Sequence, residues 1–393
     1  MFLQARHLPS PAAAGEGQGE GTSLLPKLLL SGLLTLALAA CGSAAAPAAS
    51  TPPAASPSPA ASASTKPAAS AAASASASAK PAASGSAAAK PAASPAASGL
   101  IKVKAAYSQV SAVQGALYVG VDQKFFQKYG LDVDAGLVAG PQQPPAMQAG
   151  ELQFGTPGGN ELVSADLAGG NFVMIAVASN YPAFSMFGAK GVTDINQLAG
   201  KVVGITSAGS STDAAAALYL QHFGLDKQVK RQPSGTIEGI LAFVEKGELP
   251  AGLVSPPTTA IATKDGLPEL VNGPKLGVPM THSGVTVTRD YLKSKPDVVK
   301  AFLQGYYEAW RFVIDPANEK AVEQTLAKWT KSDEAIAKAS YDYVQPAWAR
   351  DKDPEVNPEG LQNVIGLLDN PKAKDAKAAD FLDNSILRSI AAK

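Results

Sequence analysis

Two stretches of the chain repeat the same short motifs in the same order. Ala116-Leu117-Tyr118 precedes Tyr129-Gly130-Leu131-Asp132, and Ala217-Leu218-Tyr219 precedes His222-Phe223-Gly224-Leu225-Asp226. A second shared motif follows each: Gly150-Glu151-Leu152 and Gly247-Glu248-Leu249. Gly130 and Gly224 stand 94 residues apart, Gly150 and Gly247 stand 97 apart. Two matches in one order at nearly one offset suggest two similar units, although motifs this short also coincide by chance.

Hydropathy within each unit alternates between strand and helix periods. The first reads as a strand at 101–105, a helix at 113–129 stopped by Gly130, strands at 131–138 and 151–154, a helix at 160–167 and an apolar strand at 172–178. The second reads as strand 201–205, helix 212–223, strand 229–232, helix 236–245 and strand 252–254. Such alternation implies an α/β fold with mostly parallel sheets and helices on both faces. A strand at 284–288 returns to the first unit, and the chain after Pro296 is helical over 298–314, 318–329, 334–343, 358–368 and 378–391. Phe302, Tyr306, Trp310 and Phe312 are spaced as a packed helix face, which favours core over a ligand cage.

Upstream of residue 99 nothing can enter that fold. Residues 42–98 are Ala, Ser and Pro with Lys-Pro-Ala-Ala-Ser repeated at Lys66, Lys80 and Lys90, and with no aromatic residue. Such a segment cannot offset its chain entropy by burial and reads as a linker. As a coil it spans roughly 40 Å, and as polyproline II on the order of 170 Å. Before it, Lys27 leads into an apolar run over 28–40 that ends in Leu38-Ala39-Ala40-Cys41. The run is too short for a membrane span and fits a signal peptide. Cys41, the single cysteine, stands where a lipobox requires one, and the motif resembles that of bacterial lipoproteins, in which diacylglycerol is attached to the sulfur. Two acyl chains suffice for stable anchoring. The expected organisation is therefore 1–41 signal peptide and lipobox, 42–98 linker, 99–188 with 283–393 as one lobe, and 189–282 as the other. Crossovers are expected near 187–191 and 279–283.

One cysteine excludes an internal disulfide and a Cys-based metal or cluster site. Five basic and two acidic residues precede residue 99, leaving 28 against 31 beyond it, a net charge of −3. No basic field marks a nucleic-acid partner. There is no Walker loop, no Gly-x-Ser-x-Gly elbow and no His-Glu-x-x-His. No cofactor or metal is expected, and no catalytic residue is assigned. His282 beside Ser283 could touch a ligand, with an ordinary exposed histidine as the plainer reading.

The functional signal lies in loops. In open α/β sheets ligands sit beyond the carboxyl ends of strands, against helix starts with free N–H groups. Six loops there are rich in small polar residues. They supply the candidate ligand-binding set Ser108, Gln109, Thr156, Asn160, Asn180, Tyr181, Ser210, Ser211, Thr212, Ser234 and Ser255. Ordinary capping explains any one of these loops; six on one rim point to a cleft.

Leu117-Tyr118-Val119-Gly120, Phe125-Phe126, Tyr129 to Val133, Met147 to Gly155 and Asp194 to Ile205 together resemble the substrate-binding proteins of ABC importers, in the nitrate, sulfonate and thiamine-precursor-like group. The resemblance implies a two-lobed, type II periplasmic-binding-protein-like clamshell with a C-terminal helical segment. It also implies a monomer that carries a small molecule to an ABC permease at the outer face of a bacterial membrane. A sensing or adhesive module is the competing reading. The enzyme branch that makes the thiamine pyrimidine depends on His and Cys groups not found here. Gln153 and Pro250 stand where many relatives carry aspartate, no rim loop contains arginine, and Asp213 in the first turn of its helix would oppose an anion. A neutral or zwitterionic ligand is therefore expected, stacked on Tyr181 or Tyr107.

Overall fold

The glycines that mark the repeat all end helices. The computed structural model describes residues 99–393; Cys41, the apolar run before it and the Ala/Ser/Pro tract lie outside the described residues. Gly130, Gly150, Gly224 and Gly247 have φ of 81°, 77°, 69° and 72°, a left-handed conformation that favours glycine. Glu151 and Leu152 both donate to the Ala146 carbonyl, and Glu248 and Leu249 both donate to that of Phe243. The repeated motif is a repeated helix stop.

In the first unit β1 (Ile101–Tyr107) pairs in parallel with β2 (Leu131–Leu137), Ile101 opposite Leu131. Helices α1 (Gly115–Asp122) and α2 (Phe125–Lys128) connect them. The single helix expected over 113–129 is broken because Lys124 turns left-handed at φ 60°. The break lets the Phe126 ring fold beneath α1, where a side chain at Gly120 would collide with it. After α3 (Gln143–Gln148), only Phe154 of the expected strand at 151–154 bridges β1, at Ala105. Helix α4 (Gly159–Leu167) and β3 (Phe172–Met174) follow.

The chain then enters the second sheet through β4 (Ser185–Gly188). It continues as β5 (Val202–Ile205), α5 (Ser211–His222), β6 (Lys230–Pro233), α6 (Ile237–Glu245), β7 (Ala251–Val254), α7 (Thr258–Lys264), β8 (Glu269–Asn272) and α8 (Gly273–Leu276). The sheet order is β6-β5-β7-β4-β8. Strands β6, β5 and β7 are parallel, and β4 runs against β7 and β8. The first unit has the same order, held partly by single bridges: β2, β1, Phe154 with Gly155, then β9 (Thr286–Thr288), then β3. There β9 is the strand that runs against its neighbours. Each sheet is thus mixed rather than mostly parallel. The reason is that β4 and β9 each reach their sheet from the other unit.

Because β4 belongs to the second sheet, the first crossing lies at 179–184 rather than at 187–191. The return crossing at 280–283 pairs with it: Met280 N–H donates to Asn180 at 2.8 Å, and His282 N–H to Ser179 at 3.1 Å. On either side stand separate cores, one with Leu117, Phe126, Phe302 and Trp310, the other with Phe184, Met186, Tyr219 and Leu253.

Helices α9 (Arg289–Ser294), α10 (Pro296–Ile314), α11 (Glu319–Thr330), α12 (Glu334–Arg350), α13 (Pro358–Gly366) and α14 (Ser385–Ala391) complete the fold. Phe302, Tyr306 and Trp310 of α10 are buried, and Phe302 stacks on Phe126 and Phe154 at centroid distances of 4.7 and 3.8 Å. The helix expected over 378–391 shrinks to α14 because the Asn384 side chain exchanges two 3.0 Å hydrogen bonds with the Val356 backbone. Helix α12 touches both units. Trp348 Nε1 donates to the Ala178 carbonyl at 3.1 Å, while Tyr343 Oη meets Ser185 Oγ at 2.7 Å and Arg350 donates to Pro274 at 2.9 Å.

Candidate functional site

A cleft of about 580 Å³ opens between the two units at the carboxyl ends of β1, β2 and β5. The first unit contributes the loop after β1, the turn after β2 and Glu161 of α4; the second contributes the starts of α5 and α6. Ser108, Gln109, Ser210, Ser211 and Thr212 line it.

The hydroxyls at the start of α5 bond one another. Thr206, Ser210 and Thr212 form a triangle with oxygen separations of 2.8–2.9 Å. Ser210 Oγ donates to the Ser207 carbonyl at 2.7 Å, and Ser210 caps the helix. Asp213, expected to oppose an anion, turns away: one oxygen accepts from Gly209 N–H at 2.8 Å and the other pairs with Arg231 at 2.6 Å.

Glu161 takes that place, and no sequence signal singled it out. One oxygen accepts from Gly158 N–H at 2.7 Å, which is half of a capping box with no N-cap side chain to announce it. The other accepts from Ser211 N–H at 3.2 Å and Ser211 Oγ at 3.4 Å, across the cleft and at the first turn of α5. Burial pushes the carboxyl up to about 7, with those N–H and O–H donors pulling weakly the other way. The fit is close: a side chain at Gly140 would collide with the carboxylate, and one at Gly158 with Ser211 Oγ.

The remaining expected residues lie behind the walls or away from the cleft. Thr156 is buried; its hydroxyl serves Ala106 O and Gln114 Oε1 at 3.2 and 3.1 Å, and Gln114 Nε2 reaches Ser108 and Ser283. Gln114 is thus the hub of a polar floor, and sequence reasoning missed it. Asn160 Nδ2 donates across to Gly209 O at 2.6 Å. Asn180 fastens the first crossing to the C-terminal segment through Asp351, Glu355 and Asn357 at 2.8–3.0 Å. Tyr181 carries the Arg350 guanidinium over its ring at 5.0 Å, and Tyr107 packs edge-on against Tyr118 and Trp329. Neither ring lines the cleft. Ser234 bonds its own loop at Gln232 O, and Ser255 is buried at the end of β7. His282 is buried rather than exposed. Ala183 N–H donates to its Nδ1 at 3.2 Å, and its Nε2 lies 3.4 Å from the Gln109 amide nitrogen. Burial holds its pKa at about 3. Among the described residues no cluster of His, Cys, Asp or Glu is arranged to hold a metal ion, and no helix is long and apolar enough to cross a membrane.

A family model described as NMT1/THI5 like matches residues 112–319, more than half of the chain. The chain belongs to the NMT1/THI5-like family. No curated protein matches its sequence. Among solved structures, this NMT1/THI5-like chain is similar to the alkanesulfonate-binding protein SsuA of Xanthomonas axonopodis pv. citri bound to MOPS. The TM-score is 0.60 at 17% identity, over 73% of this chain and 99% of that one. The aliphatic sulphonate-binding SsuA of Escherichia coli gives 0.58 at 18%, over 70% and 94%. The periplasmic nitrate-binding protein NrtA of Synechocystis PCC 6803 gives 0.58 at 13%, over 75% and 89%. At these identities the likeness shows the fold, a two-lobed periplasmic-binding-protein α/β architecture.

Proposed function

We propose that this NMT1/THI5-like chain is the lipid-anchored, extracytoplasmic solute-binding component of an ABC importer, capturing a small polar molecule between its lobes and delivering it to the permease. One observation carries this reading. The cleft is walled by two separately cored lobes joined through paired crossings, and helix starts and hydroxyl loops from both lobes meet in it. A ligand that bridges such walls favours the closed arrangement by its contacts to both sides. Ser108, Gln109, Ser210, Ser211 and Thr212 are the residues proposed to contact it, and Cys41 the residue that carries diacylglycerol.

The test is a thermal-shift screen of small metabolites on the purified chain, followed by calorimetry of the hits, since binding to the folded state raises its stability by mass action. Ser108→Ala and Ser211→Ala should each weaken a true ligand about three- to tenfold, corresponding to roughly 0.5–1.5 kcal/mol per lost hydrogen bond. A screen in which nothing binds, or hits indifferent to both substitutions, would remove the solute-binding assignment of this cleft.

A further inference from the structure

The first turn of a helix, with its free N–H groups, is the ordinary place for a bound anion. In this cleft that place is filled from within. The Glu161 carboxylate reaches over from α4 and accepts from the Ser211 N–H and hydroxyl at 3.2 and 3.4 Å. A sulfonate or carboxylate arriving at α5 would find the donors it needs already taken by the Glu161 carboxyl group.

No other group in the cleft compensates. None of its lining residues is lysine or arginine, and a second carboxylate, Glu238, stands at the start of α6 on the opposite wall. A carboxylate offers about four acceptor positions. Glu161 uses three of them on Gly158 and Ser211, and it lines the cleft. Beside the hydroxyl groups the lining also offers apolar surface, Val110, Leu137 and Pro141 from one lobe and Ile237 from the other. Leu137 is 55% exposed. We infer that the cleft takes a cationic, hydrogen-bond-donating nitrogen head, an ammonium or amidinium, carried on an apolar body, and that Glu161 is the residue that selects this head over anions. The inference rests on the solute-binding reading and names its substrate class. The elevated pKa of Glu161 agrees with it, because a buried carboxylate without a cation is held back from ionising and a cationic head would restore the charge.

The experiment compares heads on one body. Hexylamine, hexanamidine, hexanamide, hexanoate and hexanesulfonate are titrated into the full chain, with thermal shift and calorimetry as readouts. The amine and amidine should bind at least tenfold more tightly than the sulfonate and the carboxylate. Glu161→Gln should erase that preference, and Glu161→Asp should retain part of it. The comparison on the unmodified chain stands even if the glutamine variant folds poorly. If hexanesulfonate binds as well as hexylamine and Ser211→Ala weakens it, the solute-binding reading stands and the choice of a cation is overturned. If no head of any charge binds, the solute-binding reading falls with it. If the amine binds but both Glu161 variants hold it unchanged, Glu161 is not the selecting residue.

Discussion

Replacing Glu161 by glutamine should change how stability depends on pH, in a direction fixed by the structure. Burial raises the folded carboxyl to about 7, whereas an unfolded glutamate titrates near its ordinary 4.5. Between these values the folded chain holds a proton that the unfolded chain has lost. Stability from this group is therefore fully present below about pH 4.5 and is lost as pH rises through about 7. At roughly 1.4 kcal/mol per pH unit the whole effect is about 3 kcal/mol. Glutamine has no such proton to lose. Its altered hydrogen bonds shift stability by an amount that does not vary with pH. The stability of Glu161→Gln relative to the parent should thus climb by about 3 kcal/mol between about pH 4.5 and pH 8. His282 works in the opposite sense. Its folded pKa of about 3 lies below the ordinary 6.5, so its contribution is lost as pH falls through this window. For this reason the difference between the two proteins is measured, by urea unfolding followed by circular dichroism across the range, and not the parent profile alone. A difference that stays level within about 1 kcal/mol would show that Glu161 is not buried against Ser211 as described.

Gly273→Ala should destabilise by about 2–3 kcal/mol in the same assay, as overpacking does. Its Cβ would collide with Tyr219 Oη and with the carbonyls of Pro182 and Phe184. Thr156→Ala should cost about 1–3 kcal/mol, because it removes the one hydroxyl proton shared between the buried acceptors Gln114 Oε1 and Ala106 O in the cleft floor. Calorimetry should find affinity nearly unchanged for that variant, in contrast to Ser211→Ala. Cys41→Ser should release the protein from the membrane fraction of the cells that make it; persistence there in a detergent-dependent form would remove the lipid anchor.

Much of the fold could be read from residues whose role is local. The strands β1, β2 and β5 alternate or sit beside helix stops, and the four repeated glycines mark turns that only a left-handed residue completes easily. Strands β4 and β8 could not be read. Each is four residues long, and what makes them strands is pairing across distant parts of the chain, β4 with both β7 and β8, and β8 with β4. Helix α12 runs past the expected end at 343 to Arg350 and contains Pro346; Val344, Ala347 and Trp348 are buried along that extension and hold it to the rest of the fold. In the site, serines and threonines at helix starts were legible as a class. Their facing was not: Ser211 looks into the cleft while Thr156, of the same chemistry, lies beneath it. Glu161 escaped because its meaning depends on Ser211, fifty residues on and in the other lobe.

Helix α12 has a mechanical consequence. It is bonded to Ala178 on one lobe and to Ser185 and Pro274 on the other, on residues that do not line the cleft. A helix is stiff along its axis, so any rotation that widens the cleft must slide at least one of these contacts. Part of the work of opening is then stored in a brace that no ligand touches. On the proposed solute-binding reading, Tyr343 and Arg350 become set-screws on affinity: loosening them would alter the resting balance between open and closed, and with it the strength of binding, while every group proposed to meet the ligand stays as it was.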